Sequence, residues 1–148
     1  MTDGEIGQPE GRPGREGKAP PPLGGGAVVQ VIPAFYDFIL WMAAKVGRFP
    51  RVHRFTVGDR VMTTSLEVLD RLLEAQFDRK GRRQALHRAN LDLERLRYLV
   101  RLSRDLNCIS LKHYDHAARR LVEVGRQVGG WLRHSRDVSG HPEPGRSS

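Results

Sequence analysis

A single cysteine, Cys108, occurs among the 148 residues, which excludes an intrachain disulfide framework and a cysteine-based zinc site of the usual four-ligand kind. Such a chain suits a reducing compartment. No run of 18 or more apolar residues is present, so no segment reads as a membrane-spanning helix and no membrane partner is expected. Asp3, Glu5 and Glu10 stand where a secretory signal needs a basic start and an apolar stretch, and a cytoplasmic protein is expected. Acid is also scarce. Asp and Glu number 17 against 25 Lys and Arg, a formal net charge of +8, and such a surplus suits an anionic partner.

The nine Pro and sixteen Gly are unevenly spread. Residues 1–31 hold much of both, with few large apolar side chains to offset the entropy of ordering them, and read as a disordered tail. The closing stretch, 137–148, has the same character. Between them, residues 33–136 form one domain of ordinary size.

Apolar spacing within that domain is helical, and no strand pattern competes. The fold predicted is all-α: an up-down-up-down four-helix bundle with disordered tails. The first helix opens at Pro33 and stops at Gly47. Phe35, Phe38, Ile39, Met42 and Val46 make one face, while Tyr36, Leu40, Trp41 and Ala44 make the opposite face apolar as well. A short helix apolar all round is buried on two sides, so Tyr36, Leu40 and Trp41 are expected at a subunit interface.

Pro50 breaks the chain, and Thr56 is expected to cap a second helix from Val57 to about Asp78. Its inward stripe reads as Val61, Met62, Leu66, Leu69, Leu72, Leu73 and Phe77, with Glu67 and Arg71 spaced for an ion pair. A third helix runs from about Arg82 to Leu106, with Leu86, Ala89, Leu93, Leu96, Leu99, Val100 and Leu106 inward, and Asn107 ending it in the left-handed conformation. Ser110 caps a fourth, whose inward residues are Tyr114, Ala117, Ala118, Leu121, Val124, Val128, Trp131 and Leu132.

Charge is segregated along this frame. Residues 33–136 carry 21 cations and 11 acids, a net of +10: +3 over 33–55, −3 over 56–78, +6 over 79–107 and +4 over 110–136. Arg97, Arg101 and Arg104 follow the spacing of one helical face. Arg79, Lys80, Arg82 and Arg83 gather at the start of the third helix, where cations oppose the helix dipole, a placement that suggests an external anion. With Arg88 and with Lys112, Arg119 and Arg120 of the fourth helix, these form the candidate nucleic-acid-binding set. Phosphate contacts of this kind imply strong salt dependence and little sequence preference. A solvated surface with scattered ion pairs is the plainer alternative.

Little else suggests chemistry. No Glu-x-x-His motif of a di-metal bundle occurs. His113 and His116, three apart, could supply two metal ligands, but surface imidazoles are the simpler reading. Cys108 reads as a small buried hydrophobe rather than a nucleophile. No catalytic residue, metal or cofactor is expected. Gly125 and Gly129 permit close approach of a neighbouring helix, unless they merely mark fraying near the C-terminus.

Three strings in combination, FPRVHRFTVGDR, HRANLDLERLRYLVRLSRDLNCIS and HYDHAARRLVEVGRQVGGWLR, resemble the accessory variability determinant (Avd) proteins of diversity-generating retroelements. The likeness covers about residues 33–134. The four-helix proteins encoded by intervening sequences in 23S ribosomal RNA genes are wider relatives, and the Pro/Gly-rich N-terminal extension departs from the family pattern. The resemblance implies a homopentameric barrel of four-helix bundles that binds RNA and DNA. It further implies association with the element's reverse transcriptase to support cDNA synthesis in mutagenic retrohoming. A helical-bundle scaffold for protein interactions, without nucleic-acid binding, is the alternative.

Overall fold

The computed structural model describes residues 30–139; the two expected tails otherwise lie outside the described residues. Helix α1 spans Val31–Val46, α2 Asp59–Phe77, α3 Arg82–Asp105 and α4 Leu111–Ser139. Helix α1 packs against α2 and α4, α2 against α3, and α3 against α4, the arrangement of an up-down-up-down bundle. The chain is therefore all-α among the described residues. Helix α1 starts two residues before Pro33, which sits in the first turn where its missing N–H breaks no hydrogen bond. Helix α4 runs three residues past 136.

Each helix contributes side chains of matching size to one core. Phe35, Phe38 and Met42 from α1 meet Val61, Val68 and Leu72 from α2, Leu86, Leu93 and Leu96 from α3, and Leu121 and Val128 from α4. The Phe35 and Phe38 rings stack 5.5 Å apart. Helix α3 ends as expected: Asn107 takes φ 62°, and the Cys108 N–H donates to Ser103 O at 2.8 Å while the Asn107 N–H donates to Arg104 O at 2.9 Å, the paired bonds of a left-handed stop. Ser110 caps α4 through its Oγ, which accepts from the His113 N–H at 3.0 Å.

The entry to α2 differs from expectation. Helical structure resumes directly after Pro50, through the short turn Arg51–His53 and a π-helical turn Arg54–Gly58, and continues into α2. Thr56 therefore caps nothing; its hydroxyl donates to His53 O at 3.3 Å within the turn. The wide turn buries two neighbouring residues, Val57 and Gly58, as an inserted residue does. Gly58 lets the turn sit close to α1: a Cβ there would stand 3.1 Å from Cγ1 of Val46, which would have to give way by a few tenths of an ångström.

The inward face of α2 is also rotated relative to expectation. Val61, Ser65, Val68, Leu72 and Ala75 are buried, with Thr64 beside them, whereas Leu66, Leu73 and Phe77 are exposed and Met62 and Leu69 half-buried. Two apolar stripes run along this helix, and the one built from smaller side chains faces the core. Ser65 is tolerated because its hydroxyl donates to Val61 O at 2.7 Å. The expected Glu67–Arg71 pair is replaced by contacts from Arg71 to Glu74 at 3.7 Å and to Asp92 of α3 at 4.0 Å. Asp92 is buried and also accepts from Arg95 at 2.8 Å, so it ties α2 to α3.

Candidate nucleic-acid interface

The basic residues separate into groups by the length of α3. Arg82 and Arg101 are 19 residues apart, about 28 Å along the helix. Arg79, Lys80, Arg82 and Arg83 thus lie at one end of the bundle, and Arg101, Arg104 and Lys112 towards the other.

At the first end, Arg82 has an intramolecular role. Its Nε donates to Ala75 O at 2.6 Å and its Nη2 to Gln76 O at 3.3 Å, both in the last turn of α2. A cation that opposes the α3 dipole is here set against the negative end of α2, so its position requires no external anion. Arg79, Lys80 and Arg83 are exposed and form no ion pair among the described residues.

At the other end, α3 and α4 form a shallow groove of about 240 Å³ lined by Glu94, Arg97, Tyr98, Arg101 and Tyr114. Arg97 Nη1 donates to Glu94 at 2.5 Å, and its Nη2 occupies the notch left by Gly125, where a Cβ would stand 2.6 Å away. Gly125 therefore admits an arginine rather than a helix backbone, while Gly129 has only Arg133 nearby. Arg104 sits over the Tyr114 ring at 4.8 Å and pairs with Asp105 at 2.9 Å. Arg119 pairs with Asp115 at 3.0 Å, both well exposed, a contact that a phosphate can displace at little cost. Arg88, Arg101, Lys112 and Arg120 form no ion pair among the described residues. Eight of the eleven cations are thus unmatched by carboxylates among the described residues, and seven of these, the four just named with Arg79, Lys80 and Arg83, also lack the carbonyl partners that hold Arg82.

Two further cations join this end although no sequence spacing links them to it. Lys45 lies 5.3 Å from the centre of the Trp41 ring, and Lys45 and Arg48 both act on His113. Partial burial and the charges of Lys45, Lys112, His116 and Arg48 hold the His113 pKa below the ordinary imidazole value. His113 and His116 rest against Trp41, with ring centres 5.9 and 4.5 Å away, and no cluster of three or more His, Cys, Asp and Glu side chains suited to a metal ion occurs among the described residues. Cys108 is half-buried, and burial pushes its thiol pKa up, so it is a poor nucleophile.

Tyr36 and Leu40 of the outer α1 face are exposed, Leu40 by 58%, and Trp41 is half-buried. Sequence reading misses Tyr98, 67% exposed, although its position among Arg95, Arg97 and Arg101 is a legible signal. Among the described residues no helix is long and apolar enough to cross a membrane.

Neither the curated proteins nor the solved structures give a match to this chain. The bAvd-like family matches residues 28–135, which takes in α1, α2, α3 and most of α4 and so all five residues that line the groove. The chain belongs to the bAvd-like family.

Proposed function

We propose that this protein is a non-catalytic accessory factor of a diversity-generating retroelement. It binds RNA and DNA and associates with the element's reverse transcriptase to support cDNA synthesis in mutagenic retrohoming. The reading is carried by the seven cations on α3, the turn before it and α4 that have neither a carboxylate nor a carbonyl partner among the described residues. Their spread over about 28 Å along the bundle favours a polymeric phosphate over a small anion. Family membership supplies the retroelement context. The protein acts in the cytoplasm without a cofactor, as a homo-oligomer that family likeness makes a pentamer, and Tyr36, Leu40 and Trp41 form the subunit contact.

A second reading, a protein-interaction scaffold, is favoured by the exposed stripe of Leu66, Leu73 and Phe77 on α2. Gel shifts of RNA and DNA at micromolar protein, repeated over a range of salt, separate the two. The accessory factor gives a shift that weakens with salt, and a scaffold gives none. Co-purification with the element's reverse transcriptase tests the partner, and failure to co-purify counts against that association.

A further inference from the structure

We propose that the α3–α4 groove holds an unpaired base of single-stranded RNA or DNA, stacked on Tyr98, with the adjoining phosphate on Arg101; this rests on the nucleic-acid reading above. Tyr98 is the most exposed aromatic ring lining the groove, and it makes no ring contact among the described residues. The other ring, Tyr114, is covered by Arg104 at 4.8 Å. A free aromatic face beside an unmatched cation is a combination that single strands recognise, because their bases stack on it without the cost of breaking base pairs.

The groove chemistry sorts base from phosphate. Glu94 lines the groove, and its carboxylate repels a phosphate placed inside while it can accept from a base amino group. Its partner Arg97 pairs with that carboxylate and sets Nη2 in the Gly125 notch, with Nε buried and lacking an acceptor, so Arg97 adds positive charge to the groove wall. Arg101, exposed and without an ion pair, stands one turn from Tyr98 on the same helix. At about 240 Å³ the space lies below the ~300–1,000 Å³ of pockets for drug-sized ligands, a size that suits one flat ring.

The test uses the full chain and oligonucleotides of about 12 nucleotides, one RNA and one DNA, each carrying a central 2-aminopurine, with a blunt duplex of the same sequence. The wild-type protein quenches 2-aminopurine fluorescence in both single strands. Tyr98→Ala abolishes the quench and lowers single-strand affinity about tenfold with duplex affinity unchanged, while Tyr98→Phe retains both. Quenching of only one of the two strands restricts the ligand to that nucleic acid and overturns the shared assignment. Wild-type quenching by Tyr98→Ala, an equal loss for duplex, or a reduced native mass of that variant overturns the proposal. If wild-type protein binds neither strand nor duplex, the nucleic-acid reading itself falls, an outcome distinct from loss of stacking alone.

Discussion

Arg97 and Gly125 compete for one volume: a Cβ on residue 125 would stand 2.6 Å from Nη2 of Arg97. The atom that must yield is the far end of a flexible side chain. Gly125→Ala therefore gains helix propensity, up to about 1 kcal/mol, at the cost of moving Arg97 out of its notch. Denaturant unfolding should show equal or higher stability, and a loss above about 1 kcal/mol would mean that the notch is rigid.

The two stripes of α2 make opposite predictions for similar truncations. Leu72→Ala removes a fully buried side chain and should cost about 2–5 kcal/mol. Phe77→Ala removes a ring that is 69% exposed and should change the stability of the isolated chain by no more than about 0.5 kcal/mol. Comparable losses in chemical denaturation would place the core on the wrong stripe.

Helices α3 and α4 are legible in the sequence because a single apolar stripe faces the core in each and their caps, Asn107 and Ser110, are side chains of the expected kind. Helix α2 is not, for two physical reasons. The π turn at Arg54–Gly58 brings Gly58 close to Val46, a tertiary contact that no local spacing reports. Leu66, Leu73 and Phe77 carry a stronger hydrophobic signal than the buried Thr64, Ser65 and Ala75. The basic excess of α3 and α4 is legible as charge, but Arg82's two carbonyl acceptors and the action of Lys45 and Arg48 on His113 depend on how elements pack.

Helix α1 provides the test of self-association. Leu40→Glu places a charge on its exposed outer face, so helicity by circular dichroism should be retained while native mass drops to that of the monomer. An unchanged assembly mass would remove α1 from the subunit contact.

His113 sets a pH response. Its folded pKa lies below the ordinary imidazole value of 6.5, so the unfolded chain binds more protons in the interval between the two values. Its contribution to stability is complete above the unfolded value and is lost as pH falls from there through the folded one. Nuclear magnetic resonance titration should find the His113 midpoint below 6.5, and His113→Gln should flatten the stability curve on the acid side. A midpoint at or above that value would contradict the partial burial of the ring and the nearby charges of Lys45, Lys112, His116 and Arg48.

The most direct measurement is RNA affinity as a function of salt for the wild type and for Arg101→Glu with Lys112→Glu. Both cations are exposed and unmatched by acids among the described residues. Log affinity of the wild type should fall linearly with log salt. The double variant should bind more weakly, with a slope shallower by at least about 0.7 per lost phosphate contact, at unchanged helicity. Affinity and slope equal to those of the wild type would contradict the assignment of this end of the bundle to polymeric phosphate.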